Sequence, residues 1–292
     1  MELKLNLSGS AEPLINYLEG FSRIRESLLL EVDTKNRSFV SKQFGDGDYS
    51  SVRFASILFD DANLSIVSDD GEEERGAERI KLGILIQLKK FIKIVSSFGA
   101  DKDENGKSNF EIVIKYDKTP TNGGNSLEYV ATSTTFKSNI LLMKMDGFRI
   151  SEFRYVSDEV FANRLFNVQN PVSIVLTKQA IDTIVKTSDI IKVDPRRDTL
   201  IFYTEGNILK VKDLGYSKNA QPNFVYTIGE FETEPSMPIS ISISRDKFIK
   251  MVDKNEGDFR LTLGTESDGV TVMRILFESL STTAKIVIAG LE

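Results

Sequence analysis

Four times in this 292-residue chain, a strand of alternating apolar residues runs into a helix with a matching apolar face. The strands read Leu3-Leu5-Leu7, Ile80-Leu82-Ile84, Val172-Ile174-Leu176 and Ile239-Ile241-Ile243. Three of them lead to a good N-cap type, Ser10, Thr177 or Ser244, whose hydroxyl can accept from a first-turn amide. Counting on from each cap, the fourth, seventh and eighth positions are apolar: Leu14, Tyr17 and Leu18; Ile181, Ile184 and Val185; Phe248, Met251 and Val252. No polar cap precedes the second helix, but Leu88, Phe91 and Ile92 fit the same frame started at Ile84. A unit repeated at this length is one supersecondary block used four times, and it constrains the fold more than any single residue.

Each helix is followed by strand-like runs. The first after each lie at residues 28–32, 110–116, 199–203 and 258–263, rich in β-branched or aromatic side chains. Further runs follow at 127–134, 137–144, 208–213, 224–231, 270–278 and 282–289, and Glu205-Gly206-Asn207 reads as a tight hairpin turn. The block is therefore strand, helix and antiparallel meander, which makes the chain α+β. Patterning weakens over residues 145–170, between the second and third blocks. The expected organisation is a first domain over 1–147, a connector over 148–170 and a second domain over 171–292.

Composition narrows the chemistry. With no Cys and no His, the chain cannot build Ser-His or Cys-His catalytic pairs, thiolate zinc sites or disulfides. A binding protein that is not an enzyme, without metal or cofactor, is the expectation. No apolar run approaches the length of a membrane helix and no signal-peptide pattern opens the sequence, so no membrane association and a cytoplasmic location are expected.

The net charge of −6 disfavours nucleic-acid binding by the whole surface, so basic residues matter by their placement. In the second helix Leu88, Phe91, Ile92, Val95 and Phe98 form the core stripe, and Lys89, Lys90 and Lys93 lie opposite with no acid nearby. The fourth helix carries Lys247, Lys250 and Lys254 at spacings that align them. The third offers Lys178 and Lys186 around Asp182. The first sets Arg23 and Arg25 against Glu12, Glu19 and Glu26. A solvated face explains any one such stripe. Basic outer faces on several equivalent helices of an acidic chain fit a surface that meets phosphates without reading sequence. Aromatic residues do not interrupt them, which favours duplex backbone over splayed single strands.

On these blocks the chain resembles the DNA sliding clamps. The closing portion carries the likeness furthest: Ile241-Ser-Ile-Ser-Arg-Asp-Lys-Phe-Ile-Lys-Met251, then Gly257-Asp-Phe-Arg-Leu-Thr-Leu263, then Ala284-Lys-Ile-Val-Ile-Ala289. These resemble the last helix, a following strand and the final strand of the T-even bacteriophage clamps. The resemblance implies two domains of two blocks each, and a homotrimeric ring lined by the helices, as in proliferating cell nuclear antigen. It further implies passage of duplex DNA through the ring, and a DNA polymerase and a clamp loader as partners. Arg23, Lys89, Lys90, Lys93, Lys178, Lys186, Lys247, Lys250 and Lys254 would then face the DNA. A partner peptide would dock near the connector residues Phe153, Tyr155 and Val156 and the chain end at Ile288 and Leu291.

Two rival readings come from the same residues. Asp60-Asp61, Asp69-Asp70 and the following glutamates offer carboxylates for a magnesium-dependent nuclease, though no spacing singles out a pair. Alternatively, the repeats serve assembly of a virion or scaffold, and the lysines are solvated surface.

Overall fold

The four helices form where the apolar frame places them, and their starts differ in how the first amides are satisfied. The computed structural model describes residues 2–6, 11–33, 35–45, 51–59, 64–67, 81–98, 111–115, 126–131, 134–139, 142–143, 169–190, 199–213, 224–231, 237–252, 258–265, 269, 271–278 and 282–290. Helix α1 (Glu12–Ser22) begins from Ala11, which makes no side-chain cap. The expected cap Ser10 lies outside the described residues, and Pro13, with its preset φ, stands in the first turn instead. Helix α2 (Leu88–Phe98) is started by backbone: the Leu88 amide donates to the Glu26 carbonyl at 2.8 Å. Helix α3 (Lys178–Ile190) has the expected Thr177 cap, whose Oγ1 accepts from the Ala180 amide at 3.1 Å. Helix α4 (Arg245–Met251) has the expected Ser244 cap, with the Lys247 amide donating to its hydroxyl.

Each helix buries the stripe read from the sequence. Leu14, Tyr17 and Leu18 are buried on α1, Leu88, Phe91 and Val95 on α2, Ala180, Ile181 and Ile184 on α3, and Phe248 and Met251 on α4. Ile92 and Val185 sit at the margin, half-buried. Burying one large apolar side chain of this kind contributes about 1.5–3 kcal/mol, so each stripe ties its helix firmly to its sheet.

The chain divides into two units. The first comprises Met1–Lys42, Ala55–Tyr155 and Leu280–Thr282; the second comprises Gln43–Phe54, Val156–Ser279 and Thr283–Glu292. In the first unit, β1 (Glu2–Asn6), β5 (Leu64–Val67), β7 (Glu111–Lys115), β8 (Ser126–Ala131) and β9 (Thr134–Asn139) form a sheet in the order β5-β1-β7-β8-β9. A second run has the order β10-β6-β2-β3-β4, from β10 (Leu142–Met143), β6 (Lys81–Gln87), β2 (Ser27–Asp33), β3 (Ser38–Phe44) and β4 (Ser51–Leu58). Residues 43–54 of β3 and β4 count with the second unit.

The second unit repeats the scheme. One run is β18-β17-β16-β11, from β11 (Gln169–Leu176), β16 (Phe259–Thr265), β17 (Thr271–Glu278) and β18 (Thr282–Ala289). The other is β14-β13-β12-β15, from β12 (Thr199–Glu205), β13 (Ile208–Asp213), β14 (Val225–Glu230) and β15 (Ser240–Ser244). Pairing is antiparallel, as the meanders require. The β12–β13 hairpin closes at Glu205 opposite Ile208, and Gly206 has φ +58°, the positive value this two-residue turn needs at its first position.

Strands β3, β4 and β5 are additions to the sequence reading. Their apolar alternation is masked because polar side chains are buried there: Ser41, Lys42, Gln43, Ser51 and Arg53 are each at most 5% exposed. β5 is only four residues long.

Candidate nucleic-acid interface

The outward side of each helix is set once its inward stripe is buried. On α2, Lys89, Lys90 and Lys93 are exposed, and the helix holds no acid in its sequence Leu-Lys-Lys-Phe-Ile-Lys-Ile-Val-Ser-Ser-Phe. Lys89 Nζ lies 3.7 Å from Glu26 Oε1, with both side chains more than three-quarters exposed. Lys90 and Lys93 have no carboxylate partner among the described residues. The neighbouring α1, which packs against α2, has Glu12 and Glu19 on it, with exposed Arg23 at its C-cap.

In the second unit, Lys178 and Lys186 are exposed on α3. The Lys178 amide donates to Asp258 Oδ1 at 2.8 Å, which fixes the start of the helix, while Lys186 Nζ lies 2.6 Å from Asp182 Oδ2. On α4, Lys247 and Lys250 are half-buried, and Lys250 Nζ lies 2.9 Å from Asp246 Oδ2. Helix α4 ends at Met251, and Lys254 lies outside the described residues.

The end of α4 is held by a residue the sequence reading overlooked. Arg53 on β4 is fully buried, and its Nη1 donates to the Met251 carbonyl at 2.7 Å. That carbonyl is among the last four of the helix, which have no intrahelical partner, and the guanidinium suits the negative end of the helix dipole. An arginine in a strand of unremarkable composition gives no sequence signal for this role. Gly45 lies nearby, and a Cβ there would stand 2.7 Å from Met251 Cε.

The residues expected to dock a partner fare differently. Phe153, Tyr155, Val156 and Leu291 lie outside the described residues. Ile288 is a correction: it is 0% exposed, opposite Met273 in the β17–β18 pair, so its side chain belongs to the core and offers nothing to a partner. The carboxylates at 60–61 and 69–74 also lie outside the described residues. Among the described residues, no group of three or more acids could hold a metal ion, and no helix is long and apolar enough to cross a membrane.

The architecture matches that of solved sliding clamps. Proliferating cell nuclear antigen from Entamoeba histolytica superposes with a TM-score of 0.63 at 11% identity, over 100% of this chain and 98% of that one. The protein from Thermococcus kodakaraensis gives 0.61 at 10% identity, over 99% and 100%. The A. fulgidus protein, solved with the C-terminal region of FEN-1, gives 0.61 at 12%, over 100% and 98%. The chain therefore has the sliding-clamp fold along its full length. No protein-family model and no curated protein matches its sequence.

Proposed function

We propose that this chain is the subunit of a homotrimeric ring that encircles duplex DNA and tethers a DNA polymerase to it, without catalysing a reaction itself. One observation carries the reading. In a chain with the clamp fold and a net charge of −6, the exposed lysines of α2 stand opposite its buried stripe with no acid in the helix. Contacts of this kind add affinity through counterion release and leave sequence unread, as a sliding contact requires.

Ring closure needs open strand edges, and β9 and β14 each end a sheet. Val225 on β14 is 52% exposed, an apolar side chain suited to cover by a neighbouring subunit. Pairing β9 of one subunit with β14 of the next would leave neither edge open, and a head-to-tail contact of this kind makes a closed ring, here proposed with three copies. A clamp loader would open the ring, a peptide of the polymerase would dock near residues 148–170, and the setting would be the cytoplasm. The likeness of the closing portion to the phage clamps supports a phage-type member.

Light scattering on the purified chain tests the ring. The expected mass is three times the 32.7 kDa of one subunit, in a single species. V225K/T227K, which places charge on the β14 edge, is expected to yield folded monomers. A monomer or an open-ended polymer for the unaltered chain overturns the proposal.

A further inference from the structure

We infer that phosphate contact is carried chiefly by the α2 face, and that Lys186 on α3 and Lys250 on α4 are held back by carboxylates one turn away on their own helices. The inference rests on the reading of the chain as a DNA-encircling ring and says which part of that ring bears on the DNA.

The three helices are unequal in a way that counting lysines hides. Lys186 pairs with Asp182 at 2.6 Å and Lys250 with Asp246 at 2.9 Å. In both cases the acid stands four residues before the lysine, the orientation that favours the pair on a helix. A phosphate approaching either lysine must displace a carboxylate that is already there, and it meets the negative charge of that carboxylate at close range. The carboxylate beside it lessens the counterion release that a phosphate contact at that lysine would bring.

On α2 the situation is reversed. Lys90 and Lys93 are exposed with no carboxylate partner among the described residues, and Lys89 has only a loose, solvated neighbour in Glu26 at 3.7 Å. Such an exposed pair contributes little and yields readily to a phosphate. Among the described residues α2 therefore presents the cationic stripe least covered by carboxylates, and Asp182 and Asp246 temper Lys186 and Lys250. Asp182 and Asp246 are positioning residues: they limit how tightly the ring holds the DNA it must slide along.

Anisotropy titration of a short blunt-ended fluorescent duplex with the full chain, over a series of salt concentrations, tests this. K90E/K93E is expected to weaken binding about tenfold or more and to lower the salt slope by about two. K186E/K250E is expected to weaken binding clearly less than K90E/K93E, because only repulsion by the new charges is added and no phosphate contact is lost. D182N and D246N are each expected to tighten binding severalfold and to steepen the salt dependence. E278Q, on strand β17, changes net charge by the same amount and is expected to leave binding unaltered.

The inference is overturned if K186E/K250E loses as much as K90E/K93E, or if D182N and D246N bind no better than E278Q. Circular dichroism melts establish that each variant is folded, and K90Q/K93Q replaces the reversal if that variant is not. A duplex closed by hairpins at both ends separates this inference from the ring. Equal binding to open and closed duplexes overturns the ring and leaves the comparison of faces standing. Absence of binding to either duplex overturns both.

Discussion

Arg53 Nη1 lies 2.7 Å from the carbonyl oxygen of Met251, joining residues 198 positions apart in the sequence. The bond ties a strand from the first half of the chain to the C-terminal end of a lysine-bearing helix. Arg53→Met keeps most of the apolar stem and removes the donors. Stability is expected to fall by about 2–3 kcal/mol, the cost of losing a buried hydrogen bond from a charged donor, measured by urea unfolding. An unchanged unfolding midpoint would mean that the helix end is held by other contacts.

A buried relay in the first unit gives an ordered pair of effects. Tyr17 donates to Ser41 Oγ at 2.8 Å, and Ser41 donates to the Leu29 carbonyl at 2.9 Å. Tyr17→Phe removes one bond and leaves the second intact, for a loss of about 1 kcal/mol. Ser41→Ala removes both and strips the Tyr17 hydroxyl and the Leu29 carbonyl of this partner, for a loss of about 2–3 kcal/mol. Denaturant melts of the two variants that reverse this order would contradict the relay.

The β12–β13 hairpin carries a test at alkaline pH. The hydrogen bond from Lys210 to Glu205 raises the lysine above its ordinary value of 10.5. A raised lysine stabilises the fold fully below that ordinary value and loses the contribution as pH climbs through the raised one. The melting temperature of the parent chain is therefore expected to exceed that of E205Q at neutral pH, with the gap closing above about pH 10.5. The gap is small because the pair is solvent-screened. A gap that widens on the alkaline side would contradict the assignment.

Partner docking is tested at the connector. F153S/Y155S is expected to weaken calorimetric binding of the polymerase tested while the light-scattering mass stays that of the trimer. Unchanged affinity would put the docking groove elsewhere, and the burial of Ile288 already narrows the choice.

The helices were legible because their signal is local. Leu14, Tyr17 and Leu18, and their counterparts on the other three, recur at helical spacing beside strands of period two, and one buried face enforces both patterns. β3 and β4 were not legible because Ser41, Lys42, Gln43, Ser51 and Arg53 are buried by contacts distant in sequence, which no window of neighbouring residues contains. At the candidate interface, the lysines could be read from the faces opposite the stripes. Their inequality was legible only in part: Asp182 and Asp246 have the right spacing for Lys186 and Lys250, but spacing does not fix whether a pair forms. Ile288 was misjudged for a related reason. A strand near the chain end reads as available to partners, whereas pairing with β17 puts that side chain in the core.

Encirclement of DNA is a matter of topology, which a linkage experiment reads more directly than an affinity. The chain is allowed to thread onto linear duplex anchored at one end, the free end is then blocked, and the DNA is washed at high salt. Electrostatic binding is lost under those conditions, whereas a closed ring stays linked. The expected result is retention through the wash, with release only when the duplex is cut between the anchor and the block. Elution by salt from uncut, end-blocked DNA would contradict the account.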